Sequence, residues 1–287
     1  MTVFEMIKYH SQKYPPEIPL RIEEIAAHLD VQNVSGRLGW SLHTEYSYGK
    51  RNLNSAVIQQ FPELISANRD GVPQLWKNEK WAAEFAEFII VLVGSAKEPR
   101  VIEIHPPFSD YSNVHVFSDV YSVFEDAIKT RYPNTEILIE NRCGSVYHGG
   151  RFVVSKIPDV VSLCDEIGKR NLKLRIAFDI PQIYTAHNAK AEKEYLALLE
   201  RAKDIRQLIG GVHLWGKRKS DSGRKVSHCG DLTSFFEDEG VKEAFLETFS
   251  CGFDDDIPRK MVLEVNSGNQ DLRSIIQDLQ GHNVVFK

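Results

Sequence analysis

Ile137-Leu138-Ile139 runs directly into Glu140, a β-favouring apolar stretch that stops on an acid. Outward from it the same arrangement recurs five times. Val101-Ile102-Glu103-Ile104 precedes His105, and Leu38-Gly39-Trp40-Ser41-Leu42 precedes His43. Downstream, Leu174-Arg175-Ile176-Ala177-Phe178 precedes Asp179, Ile209-Gly210-Gly211-Val212 precedes His213, and Met261-Val262-Leu263 precedes Glu264. One such stop is ordinary. Six in series predict parallel strands whose C-terminal ends face one centre. From His105 to His213 the stops are 35, 39 and 34 residues apart. That is about one βα unit of a barrel that spends roughly 250 residues on eight units. The expected fold is therefore α/β, a (β/α)8 TIM barrel.

Amphipathic stretches fill the intervals. Helices are expected over 81–88, 120–131, 157–168, 191–208, 241–249 and 272–279, where apolar residues recur at helical spacing. An open doubly wound sheet shares this alternation, but no G-x-G-x-x-G or G-x-x-x-x-G-K-[ST] occurs. Residues 1–30 read as a helix over Ile22–Leu29, a Pro15-Pro16 break and no clear strand. The barrel is thus expected to be irregular or incomplete at its first strand. On this reading 1–287 is a single domain, with 1–37 an irregular N-terminal segment, 38–287 the barrel units and Asn283–Phe286 a closing strand.

The length of 287 residues and hydrophobic content of 42% allow one large core. A net charge of −5 argues against a general polyanion binder, while leaving room for a local basic patch. Cys143, Cys164, Cys229 and Cys251 lie far apart with no C-x-x-C pair, which predicts reduced thiols in a cytoplasmic protein. The N-terminus has no basic region leading into an apolar one, so no signal peptide is expected. The longest apolar run, Phe88 to Val93, is too short to cross a bilayer.

Buried acids at strand ends are costly without a counter-charge, so Glu140, Asp179 and Glu264 predict a bound cation. With His43, His105 and His213 they form a nitrogen and oxygen donor set suited to Zn or Mn. The competing reading is that each acid caps a loop or pairs with a lysine or arginine. His43 could equally stack beside Tyr46 and Tyr48, and His105 could be a turn residue before Pro106-Pro107. The loop Lys217 to Lys225 carries five basic residues and one acid. Lys217, Arg218, Lys219 and Arg224 are candidate clamps for substrate phosphates, the alternative being a solvated loop. Tyr46, within Tyr46-Ser47-Tyr48-Gly49-Lys50-Arg51, is a candidate stacking residue. Trp215 either walls the pocket or packs the barrel.

Several of these segments resemble the endonuclease IV family of the xylose isomerase-like TIM barrel superfamily. Glu140-Asn141-Arg142-Cys143-Gly144 is similar to that family's E-N-x-x-G, and Asp179-Ile180-Pro181-Gln182 to its D-x-x-H. His213-Leu214 resembles H-L-N, and Val262-Leu263-Glu264-Val265 resembles the closing L-E-T strand. His43-Thr44-Glu45-Tyr46 is similar to H-x-P-Y and His105-Pro106 to H-P-G; His228, fifteen residues after His213, matches a further family histidine. The likeness runs from about residue 38 to the end, in short motifs.

The resemblance implies a metal held by His43, His105 and a bridging Glu140, and a second held by Glu140, Asp179, His213 and Glu264. The family's third metal needs a histidine where Gln182 stands and an aspartate where Val226 stands, leaving only His228. That third site is expected to be absent, or rebuilt from Asp231 or His187. The implied activity is metal-dependent cleavage of a phosphodiester in damaged or abasic DNA, a DNA-repair endonuclease, with Glu140 and Glu264 as catalytic carboxylates. The alternative is a single-metal sugar or sugar-phosphate isomerase or epimerase, in which both acids move protons. Related epimerases hold substrate at the position of Gln182, which makes it a candidate substrate contact. A degenerate barrel kept as a scaffold is the non-enzymatic alternative. The partners implied are a DNA backbone or a phosphorylated sugar, and no membrane; oligomeric state is open.

Overall fold

Each of the six apolar runs is a strand in the computed structural model, which describes residues 1–34, 38–44, 53–69, 71–143, 145–147 and 150–287. Nine strands make one sheet: β1 (Thr2–Lys8), β2 (Ile22–Ala26), β3 (Gly39–His43), β4 (Val101–Ile104), β5 (Glu136–Glu140), β6 (Arg175–Asp179), β7 (Ile209–Leu214), β8 (Arg259–Leu263) and β9 (Val284–Phe286). The strands β1 to β8 follow one another in sequence order, and β8 pairs back onto β1 in parallel, Phe4 to Ile7 against Arg259 to Val262. The sheet is closed, and the fold is a (β/α)8 TIM barrel.

The N-terminal expectations are corrected. Residues 1–30 supply two strands, so the barrel is complete at its start, and Ile22–Ala26 is β2 rather than the opening of a helix. The misreading has a physical cause. A parallel strand buried on both faces has no polar side to mark its period, and Ile22, Ile25 and Ala26 fall at a spacing that also suits a helix. In β1, by contrast, Thr2, Phe4 and Met6 are buried and Val3 and Glu5 half-buried, the alternation of an ordinary strand. The terminal segment is a strand, yet closure belongs to β8. The added β9 pairs with Thr2 to Phe4, the first half of β1.

The chain divides into two compact units, Glu24–Ala177 and Met1–Glu23 with Phe178–Lys287. Within the first, His43 is the register partner of Glu103, and Ile104 that of Ile139. Its long helices are α1 (Glu79–Val93), α2 (Val114–Arg131) and α3 (Ile157–Arg170), each covering its expected stretch and extending it. Asn78 and Asn113 set two of the starts, their side chains accepting from the Trp81 and Val116 amides at 2.8 and 3.0 Å. The core centres on Trp76, whose ring lies within 6.0 Å of those of Trp81, Phe85, Phe117, Tyr121 and Phe124. Burying each such side chain contributes on the order of 2–3 kcal/mol.

The second unit carries α4 (Ile180–His187), α5 (Glu192–Glu200), α6 (Glu239–Gly252) and α7 (Asn269–Gly281). The helix expected over 191–208 is broken into α5, a short helix Ala202–Ile205 and a 3-10 turn Arg206–Leu208. Its apolar spacing survives the break, with Leu199, Ala202 and Ile205 buried. Tyr184, Tyr195, Phe235, Phe236 and Phe245 pack ring against ring beside it. Among the described residues no helix is long and apolar enough to cross a membrane.

Candidate metal centre

Strand geometry brings the first group together. In β4 the side chain of Glu103 and that of His105 two residues on share a face, and β3 and β5 deliver His43 and Glu140 beside them. His43 Nε2 lies 3.2 Å from His105 Nε2, and His105 Nε2 lies 2.9 Å from Glu140 Oε2. His43 Nε2 is also 3.8 Å from Glu140 Oε2 and 3.7 Å from Glu103 Oε1. One donor atom from each of His43, Glu103, His105 and Glu140 falls within 4.8 Å of the others, and all four residues are buried. Two imidazole nitrogens facing each other at hydrogen-bond distance can share one proton at most. Around a cation the same atoms become ligands, and their N2O2 composition suits zinc or manganese. The donors therefore fit a divalent metal.

The surroundings favour the ligand forms. Burial, together with the nearby Arg142 guanidinium, holds His105 below the ordinary imidazole range although Glu140 pulls the other way. A neutral imidazole is the form that binds metal. Arg142 Nη1 reaches both Glu140 oxygens at 3.4 Å, and its guanidinium lies 5.8 Å from the Phe152 ring centre. The Trp76 indole donates to the His105 carbonyl at 2.7 Å, tying the aromatic core to this strand end.

In the second unit Asp179 ends β6 and caps α4, accepting from the Gln182 amide at 2.8 Å. Its other oxygen accepts from Gln182 Nε2 and from Trp215 Nε1, both at 2.9 Å. Gln182 thus positions a carboxylate. His213 Nδ1 is 3.1 Å from Glu264 Oε1, and His228 Nδ1 is 3.1 Å from Glu264 Oε2. Burial opposes ionisation of Glu264, but these two imidazoles outweigh it and hold the carboxyl well below its usual range. His228 has a left-handed backbone, φ 57°, and stacks on Trp215 with ring centres 4.3 Å apart.

The basic loop is an antiparallel hairpin, Lys217–Lys219 with Lys225–Ser227. Arg218 pairs with Asp271 at 2.6 Å, and Lys219 and Lys225 each reach Glu237 at 2.7 Å. The hydrogen bonds of Lys219 and then Lys225 lower the Glu237 carboxyl to about 2. Lys217 lies over the Trp215 and Phe235 rings at 5.3 and 5.4 Å and donates to Thr185 Oγ1 at 2.6 Å. Of the four expected clamps, Arg218 and Lys219 are thus committed to acids, while Arg224 has no ionic partner among the described residues. Tyr46, Tyr48, Lys50, Arg51 and Gly144 lie outside the described residues. Asp231 caps the helix Leu232–Phe236, accepting from the Ser234 amide at 2.9 Å and from Ser274 Oγ at 3.0 Å.

Sequence reasoning passed over two acids. Glu103 interrupts the run Val101-Ile102-Glu103-Ile104, a charge inside a fully buried strand, and that interruption was its signal. Glu24, whose Oε1 is 3.4 Å from His43 Nδ1, was hidden by the helical reading of β2.

No protein-family model matches the chain, and no curated protein does. Solved structures similar to it include an AP endonuclease, family 2, from Brucella melitensis, at 11% identity and TM-score 0.48 over 95% of this chain and 97% of that one. A xylose isomerase domain protein from Alicyclobacillus acidocaldarius subsp. acidocaldarius is similar at 10% identity and TM-score 0.49, covering 98% of each. A sugar phosphate isomerase/epimerase from Parabacteroides distasonis is similar at 11% identity and TM-score 0.38, over 92% of this chain and 82% of that one.

Proposed function

We propose that the chain is a divalent-metal-dependent hydrolase that cleaves a phosphodiester in damaged or abasic DNA. The observation that carries this reading is the buried approach of His43 Nε2, His105 Nε2 and Glu140 Oε2 at 2.9 to 3.8 Å. Two imidazoles on early strands are more than a single-metal sugar isomerase requires. One ion would be held by His43, His105 and Glu140. A second would be held by Asp179, His213 and Glu264, with His228 auxiliary. Zinc or manganese bound there lowers the pKa of water and offsets charge on phosphate oxygens.

The remaining work falls to the chain itself. Gln182 and Trp215 fix the Asp179 carboxylate, and His213 and His228 keep Glu264 ionised at neutral pH. Arg224 is the cation of the basic hairpin that would meet a phosphate backbone. Purified protein is expected to hold more than one equivalent of zinc or manganese by elemental analysis. Glu264→Gln is expected to lose both retained metal and nicking of an abasic duplex. Nicking by metal-stripped protein rejects the reading. A single ion with turnover of a sugar phosphate replaces it with the isomerase or epimerase.

A further inference from the structure

Glu103 stands closer to the metal centre than its place in an apolar strand suggests. It is the register partner of His43 on the neighbouring strand and shares a face with His105. Its Oε1 lies 3.7 Å from His43 Nε2, within the same 4.8 Å group as His105 and Glu140. The backbone is pinned at this point, since the Glu103 carbonyl accepts from both the Thr44 amide at 3.0 Å and Thr44 Oγ1 at 2.6 Å. On its far side the His43 ring meets Glu24, Nδ1 to Oε1 at 3.4 Å, which turns Nε2 toward Glu103, His105 and Glu140. A carboxylate fixed on a rigid strand among two inward nitrogens and a second carboxylate is placed as a ligand.

We propose that Glu103 is a fourth protein ligand of the ion held by His43, His105 and Glu140. This deepens the metal-dependent reading above and rests on it. Two carboxylates and two neutral imidazoles balance the charge of a divalent ion. Four protein donors also leave no vacancy, and sites filled in this way keep a resident structural ion, whereas catalytic sites hold a position open. Water activation would then fall to the ion served by Asp179, His213 and Glu264.

The test uses the full chain and zinc. Wild-type protein and Glu103→Gln are loaded, and zinc release to a chelator is followed. The isosteric change is expected to weaken retention of one ion by more than the roughly 10–100-fold that follows loss of a group merely supporting a ligand, while the other ion is unaffected. Equal retention of all zinc by both proteins overturns the assignment. Should Glu103→Gln not fold, wild-type protein with both sites loaded with cobalt still decides. The filled site gives visible bands that added azide leaves unchanged, and azide shifting every band overturns the assignment. Protein that binds no ion in any form overturns both this assignment and the hydrolase. Loss of one tightly held ion in Glu103→Gln, with no nicking by wild type, keeps Glu103 as a ligand and sinks the hydrolase alone.

Discussion

At Asp179 one carboxylate does three structural jobs. It ends a strand, caps a helix and receives the amide of Gln182 and the indole N–H of Trp215. Hydrogen bonds to charged groups contribute about 1.5–3 kcal/mol each, and leaving a buried acceptor short of a partner costs a similar amount. Trp215→Phe keeps an aromatic ring, though a smaller one, and removes the donor. It is expected to lower the stability of the metal-free protein by about 2 kcal/mol, read as a shift of the denaturant midpoint at unchanged slope. An unchanged midpoint would show that this bond does not hold Asp179. The residue scale is also where the sequence spoke most directly. His43, His105 and Glu140 were legible because each terminates an apolar run, and a strand end is a fixed place in a barrel. Glu103 was not, because an acid inside such a run has no place in the pattern until its neighbouring strand is known.

Among the elements, the basic hairpin changed most between sequence and structure. Five cations in nine residues read as a patch for phosphates, yet Glu237, distant in sequence, receives two of them and Asp271 a third. The Glu237 carboxyl, lowered to about 2 by Lys219 and Lys225, gives these contacts a defined acid limit. A depressed carboxylate contributes fully above its unfolded pKa of about 4.3 and loses that contribution as pH falls through its folded value. The hairpin should therefore stay pinned at neutral pH and loosen only toward pH 2. Because Glu237 is exposed, salt should weaken the contacts. Glu237→Gln is expected to raise tryptic cleavage within 217–225 several-fold at neutral pH, followed by mass spectrometry, with cleavage elsewhere unchanged. Equal cleavage rates would show that the ion pairs do not restrain the loop. Helix caps follow the simpler rule. Asn78 accepts from the Trp81 amide, and Asn78→Ala should cost about 1 kcal/mol in denaturant unfolding.

For the whole molecule, closure is the deciding event. The strand β1 pairs with β8, β2 and β9, so a chain without Thr2–Lys8 leaves three strands short of a partner and Met6 missing from the core. That deletion is expected to abolish cooperative unfolding and give aggregated protein, and a monomeric product with a sharp melt would contradict it. The sequence alone determined the fold class, the order of six strand ends and the residue types on them, because periodicity and spacing are local properties that survive without coordinates. It also determined most helices, since an amphipathic stripe is written into consecutive turns. Tertiary structure decided the rest. Whether Ile22–Ala26 is strand or helix depends on neighbours that bury both of its faces. Whether a lysine is free for substrate depends on which acid the fold brings beside it. Distances of 2.9 and 3.2 Å between side chains from three strands exist only once hydrogen-bonded register has fixed those strands against one another.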